Sequence, residues 1–217
     1  MIQHFELNKV GNDYVMGDLH GCFPELKQQL YDIGFRESCD RLFSVGDLVD
    51  RGLHSEYALE WLRKSWFHVV RGNHESMAID ASEGFIDIQN YIWNGGGWFL
   101  DLPVELQKEF ANEFKKLPIA IEVDTPFGMV GIIHAECPVA KWEDLKEAFN
   151  GPNSESFINI CLWNRDRLKN GLTSIIEGVH SVIVGHSVVY DDTWFGNVHY
   201  IDTGLVFGKK LTIIKIN

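Results

Sequence analysis

Three short clusters in the chain collect residue types that bind metal ions. They are Gly17-Asp18-Leu19-His20-Gly21, Gly46-Asp47-Leu48-Val49-Asp50-Arg51-Gly52 and Gly72-Asn73-His74-Glu75. Each directly follows an apolar, strand-like run: 14–16, 42–45 and 67–70. The pattern predicts a buried strand, a turn at glycine, and oxygen and nitrogen donors presented at the strand's carboxyl end. Two further runs, 130–133 and 182–185, end the same way in His134 and His186. One histidine after a strand is ordinarily structural, and the inference rests on the repetition. In an open α/β sheet, ligands gather at the carboxyl ends of adjacent strands. Carboxylate, imidazole and carboxamide together make a set for divalent cations of hard to borderline character.

The elements that must carry these donors read as β-α-β-α-β over the first 70 residues. A helix is expected from Phe23 to Tyr31, with Pro24 in its first turn and Phe23, Leu26, Leu30 and Ile33 at helical spacing. Gly34 stops it. A second helix, Ser55 to Lys64, precedes the third strand, and both crossovers are long enough for parallel connections. Residues 76–117 read as a helical excursion (77–81, 85–93 and 104–116), with Asn94-Gly95-Gly96-Gly97-Trp98 too flexible for an element interior. Strands 119–123 and 129–134 are expected to pair through a turn at 124–128. Residues 136–170 read as mixed and loop-rich, residues 1–12 as a lead-in, and 181–184, 198–201 and 211–216 as strands.

Length and composition bound the rest. At 217 residues the chain is expected to form one domain, 1–217, with an ordinary apolar fraction of 45%. A net charge of −12 argues against nucleic acid and against an anionic membrane surface as partners. The first residues hold neither a basic nor an apolar leader-like stretch, and no window suits a spanning helix. The four cysteines lack CxxC spacing and read as reduced thiols of a cytoplasmic protein. Cys22 and Cys137 read as small filler beside the clusters. Nothing suggests an obligate dimer, so a monomer is expected.

The motifs Gly-Asp-x-His-Gly, Gly-Asp-x-Val-Asp-Arg-Gly and Gly-Asn-His-Glu, in this order, resemble the signature of PPP-type metallophosphoesterases. Asn94-Gly95-Gly96-Gly97-Trp98, Trp163-Asn164-Arg165, Gly185-His186-Ser187 and Ile201-Asp202-Thr203-Gly204 extend the likeness to the small phage and bacterial serine/threonine protein phosphatases of the lambda-phage type. The resemblance implies an α/β calcineurin-like metallophosphoesterase fold, a β-sandwich flanked by helices with its site at strand C-terminal ends. It implies one metal on Asp18, His20 and Asp47, and a second on Asp47, Asn73, His134 and His186. Asp47 then bridges, as a carboxylate with two oxygens can. Two divalent ions are implied, Mn²⁺ foremost with iron or zinc as alternatives, because imidazoles disfavour an all-magnesium site.

By the same resemblance Arg51, Arg71 and Arg165 bind substrate phosphate, for which a guanidinium fork is suited. His74 acts as the general acid and Asp50 orients it. Attack comes directly from a water held by the two cations, without a phosphoenzyme. Phosphoserine and phosphothreonine proteins or peptides are the implied substrates, with phosphotyrosine open. The signature also fits a hydrolase of dinucleoside polyphosphates such as diadenosine tetraphosphate. A non-catalytic metal-binding module is a third reading, disfavoured because every ligand and dyad position is filled. Glu75 reads as a structural partner of the site, Asp166 and Asp202 as loop residues, and Trp98 and Trp163 as aromatics to follow.

Overall fold

The computed structural model describes residues 1–217 and contains two β-sheets packed face to face. Its strands are β1 (Ile2–Phe5), β2 (Asp13–Met16), β3 (Arg41–Ser44), β4 (Phe67–Val69), β5 (Ala120–Thr125), β6 (Gly128–Ile133), β7 (Ser181–Val184), β8 (Thr193–Phe195), β9 (Val198–Tyr200) and β10 (Ile213–Lys215). One sheet runs in the order β10-β2-β3-β4, the other β1-β5-β6-β7-β9-β8. In the first, β2, β3 and β4 are adjacent and parallel, as the clusters require, and β10 pairs antiparallel to β2. In the second, β6 and β7 are parallel neighbours, so the chain after them emerges on one side.

The helices are α1 (Phe23–Asp32), α2 (Ala58–Leu62), α3 (Asn73–Glu83), α4 (Ile88–Trp93), α5 (Gly97–Leu100), α6 (Val104–Lys116), α7 (Leu145–Asn150), α8 (Ser154–Trp163) and α9 (Asp166–Asn170). Between the sheets lies an apolar layer that includes Val15, Phe43, Val45, Ile121, Ile132 and Ile183. Each such burial contributes roughly 1.5–3 kcal/mol. A second cluster joins the outer face of the four-stranded sheet to α1, α2, α3 and α6, through residues such as Leu26, Trp61, Met77 and Phe114. A third packs α7 and α8 on the outer face of the six-stranded sheet, through Trp142, Phe149 and Cys161. The two sheets are thereby clamped from outside, which fixes the strand ends where the donors sit.

Several expectations need correction. Residues 2–5 are not merely lead-in but the edge strand β1, parallel to β5. Residues 136–170, read as mixed and loop-rich, hold three α-helices and a turn of 3₁₀ helix. The third cluster is not a strand-end turn alone: α3 begins at Asn73, with Gly72 as its N-cap and Glu75 at the third position accepting the Gly72 amide at 2.8 Å. That is half of a capping box, and it satisfies an amide at the helix start. Gly97 and Trp98 lie inside the short helix α5.

His68 is half-buried between the sheets, with its ring 4.3 Å from Phe5 and 5.3 Å from Phe43. Burial, helped by the nearby Arg41 guanidinium, pushes its pKa down to about 4. The unfolded chain therefore takes up this proton at a higher pH than the folded one. The sign follows: His68 costs nothing above about pH 6.5, and its stabilising neutral state is lost as pH falls toward 4. Chemical denaturation at pH 7 and pH 4 should show wild type losing about 2 kcal/mol more than His68→Leu over that window.

Candidate active site

The site forms where β2, β3 and β4 end opposite the ends of β6 and β7. Asp18, His20, Asp47, Asn73, His134 and His186 are all buried there, none more than 6% exposed. Donor atoms of His20, Asp47 and His74 lie within 4.8 Å of one another, and so do those of Asp47, His134 and His186. Asp47 belongs to both groups. Asp18 joins through its carboxylate, whose oxygens both accept the His186 amide at 3.1 Å. The structure brings these six side chains together at the ends of the two sheets.

The backbone is bent to achieve this. Five non-glycine residues have positive φ: His20 (48°), Asp47 (52°), Asp50 (70°), Arg51 (69°) and His186 (62°). All five are site residues, and such conformations cost of order 1–3 kcal/mol each outside glycine. They persist because the surroundings hold them. The Glu75 carboxylate accepts amides from Gly72 (2.8 Å), Asp47 (3.0 Å) and Leu48 (2.7 Å), stapling the β3 turn to the start of α3. Gly72 and Gly185 allow the close approach, since a Cβ on either would overlap the Asp47 or Asp18 carboxylate.

The electrostatics describe a cation site. Burial opposes ionisation of Asp47, yet the surrounding imidazoles of His134, His74, His20 and His186 hold its pKa well below the usual range. Burial pushes His20 and His186 down to about 3, so both rings are neutral and each keeps a lone pair on one nitrogen. Burial and the neighbouring Asp202 and Asp47 carboxylates push Asp18 well up. His20 Nδ1 donates to the Val49 carbonyl at 2.9 Å, and His134 Nδ1 to the Val45 carbonyl at 2.7 Å. The His134 Nε2 lone pair then faces the Asn73 carboxamide oxygen 2.8 Å away. Two acceptors so close are reconciled by a shared cation, and the donor set of carboxylates, imidazoles and one carboxamide suits such an ion. Backbone carbonyls that fix ring orientation are the usual support of metal-binding histidines.

Beside this cluster stands a buried dyad. His74 Nδ1 donates to Asp50 Oδ2 at 2.7 Å. Asp50 Oδ1 in turn accepts from Trp98 Nε1 (2.7 Å) and Tyr91 Oη (3.4 Å). Burial disfavours charge on His74, but Asp47 and the Asp50 hydrogen bond outweigh it and raise the pKa. His74 Nε2 has no partner and lies 3.8 Å from Asp47 Oδ2.

The three arginines separate. Arg51 Nη1 is 2.6 Å from His20 Nε2, and Arg165 Nε is 3.0 Å from His186 Nε2, so both guanidiniums border the cluster. Arg71 does not: its Nη2 donates to the carbonyls of Lys115 (2.8 Å) and Leu117 (3.4 Å) at the end of α6. Sequence adjacency misleads here, because Arg71 leaves β4 toward the helical layer. It fastens α6, and the structure gives it no contact with the cluster. Sequence reasoning also missed Tyr91, whose only signal was its place in an apolar helix. Asp202, read as a loop residue, is 4% exposed and has its pKa pushed up to about 6 by burial and by Asp47.

The chain belongs to the calcineurin-like phosphoesterase family, whose profile matches residues 14–196. Serine/threonine-protein phosphatase 1 of Salmonella typhimurium is 37% identical over 219 residues, covering 99% of this chain and 96% of that one. The symmetrical bis(5'-nucleosyl)-tetraphosphatase of Haemophilus ducreyi is 44% identical over 64 residues, only 29% of this chain and 24% of that one. A solved structure provisionally assigned as a diadenosine tetraphosphatase aligns with a TM-score of 0.69 at 18% identity, covering 99% and 96% of the two chains, which speaks to the fold. Members of this family use a dinuclear metal site, and the cluster around Asp47 has the donors for one.

Two measurements test the geometry. Asp47→Asn should lower the content of both metals together, read by elemental analysis after dialysis, because Asp47 belongs to both donor groups. Glu75→Ala strands three buried amides, and calorimetry should show a loss of about 3 kcal/mol or more in stability.

Proposed function

We propose that the chain is a metal-dependent protein phosphatase that hydrolyses phosphoserine and phosphothreonine monoesters. The observation that carries the reading is the unpartnered Nε2 of His74, whose other nitrogen is held by Asp50, at the edge of the donor cluster. A phosphomonoesterase needs such a group, because an alkoxide leaves poorly and a general acid supplies about 10²–10⁴ in rate. A carboxylate-held imidazole also suits a metal ligand, and the metal content of the His74 variant below separates the two roles.

Asp18, His20 and Asp47 would hold one cation, and Asp47, Asn73, His134 and His186 the other. When bound, the pair supplies Lewis acidity toward the phosphoryl group and toward an attacking water. Arg51 and Arg165 bind and orient the phosphoryl oxygens, each through N–H donors at the cluster's border. As the bond from phosphorus to the seryl or threonyl oxygen breaks, His74 delivers the proton held at Nε2 to that oxygen. Asp50 keeps the ring aligned and favours its charged form, and Trp98 Nε1 fixes Asp50. The donor set, rich in imidazole and free of thiolate, supports Mn²⁺ with iron or zinc as alternatives. The net charge of −12 supports phosphoprotein partners rather than nucleic acid or anionic membrane. The same reading has the chain act as a monomer in the cytoplasm.

The near full-length likeness to a bacterial serine/threonine phosphatase supports the substrate class, whereas the likeness to the tetraphosphatase is confined to part of the chain. Turnover of a phosphoserine peptide, p-nitrophenyl phosphate and diadenosine tetraphosphate by the Mn²⁺-loaded protein tests it. The peptide and the aryl phosphate should be hydrolysed; cleavage of the dinucleotide alone would overturn the reading. His74→Asn should keep its metal content and lose about 10²-fold or more in kcat. Loss of metal instead would make His74 a ligand.

A further inference from the structure

Arg51 is held in an unusual way. Its backbone has φ 69°, and its amide donates to the Gly95 carbonyl at 3.4 Å. Its guanidinium has two neighbours of opposite kind: Nη1 is 2.6 Å from His20 Nε2, and Cζ lies over the Phe207 ring, 5.8 Å from the centroid. The first is a lone pair that a cation in the cluster would claim. A metal on His20 Nε2 leaves the aromatic face as the close side-chain contact, beside the longer-range attraction of the Asp18 and Asp202 carboxylates.

Phe207 is placed for this role rather than buried as core. Its side of the molecule is the turn after β9, where Leu205–Phe207 form one turn of 3₁₀ helix between Gly204 (φ 76°) and Gly208 (φ 78°). The turn is anchored by buried groups: Asp202 Oδ1 accepts the Gly204 amide at 3.0 Å, and Thr203 Oγ1 donates to the Lys210 carbonyl at 2.9 Å. Yet Phe207 itself is 59% exposed. An exposed phenyl on an anchored turn, facing a cation beside a buried metal cluster, contributes little to packing and much to where that cation rests.

We propose that Phe207 is a positioning residue for Arg51, keeping its guanidinium at the mouth of the cluster, ready for phosphate, once metal occupies His20. This rests on the reading of Arg51 as a phosphate-binding residue. A cation–π contact at an exposed site is worth about two- to fivefold in affinity.

Calorimetric titration of the Mn²⁺-loaded protein with inorganic phosphate reads this without turnover. Phe207→Leu should weaken phosphate about two- to fivefold and raise KM for p-nitrophenyl phosphate in step, with kcat and metal content unchanged. Phe207→Trp should restore both. In an Arg51→Ala background, Phe207→Leu should add nothing, since the pair acts as one unit. Additive losses, or a Phe207→Leu protein that binds phosphate like wild type, would overturn the proposal. An Arg51→Ala protein with undiminished phosphate affinity would overturn the reading of Arg51 itself, and the proposal with it, whereas intact Arg51 dependence without Phe207 dependence sinks the proposal alone.

Discussion

The structure depends on one buried carboxylate being surrounded by imidazoles. Asp47 is 2% exposed, and a lone carboxylate there would be driven to take up a proton. The facing histidines His134, His74, His20 and His186, from four separate segments, lower its pKa; of these His74 is the one whose own pKa is raised, and the His74 amide donates to Asp47 Oδ1 at 3.0 Å. Burial keeps the His20, His134 and His186 rings neutral, while backbone carbonyls fix ring orientation, two of them in the loop and strand end flanking Asp47 itself: Val45 for His134 and Val49 for His20. The cluster is thus a closed arrangement in which the donors orient one another. Both sheets are needed, since His134 and His186 come from one and the rest from the other.

That arrangement explains where the strain sits. A strand that ends at a buried polar cluster has to turn sharply and at once, and positive φ is the shortest way to do so. In this chain every non-glycine residue that pays this conformational cost lies at the cluster, while Glu75 and the flanking glycines hold the turns. Arg36–Asp40 and Arg41–Asp13 fasten the entry to β3 from the far end, with Asp13 and Asp40 almost fully buried. Rigidity at both ends of one strand positions Asp47 more firmly than the loop sequence alone could.

How much of this could be read beforehand follows from signal length. The three strand–turn clusters were legible because each pairs an apolar run with glycine and donor residues, and the parallel order of β2, β3 and β4 followed from their long crossovers. The β5–β6 hairpin was equally plain from its turn. β1 and β8 were not, being edge strands of four and three residues with no clear alternation. α8 was hidden because Phe157, Ile158, Ile160, Cys161, Leu162 and Trp163 are apolar around most of the helix, so no period marks it. Arg71 shows the limit of motif reasoning: its neighbours Gly72 and Asn73 are at the site, but its own side chain is turned by the α6 carbonyls. Beyond His74, the hydrogen bonds to Asp50 had no local signal, since Tyr91 and Trp98 reach it across 41 and 48 positions of chain, and Trp98 was marked only as an aromatic within a motif.

The most direct test of the account is anomalous scattering at the manganese edge from crystals of the Mn²⁺-loaded protein. Two peaks should appear, one on each side of the Asp47 carboxylate, the first near Asp18 and His20 and the second near Asn73, His134 and His186. A single peak, or two that do not share Asp47, would contradict it.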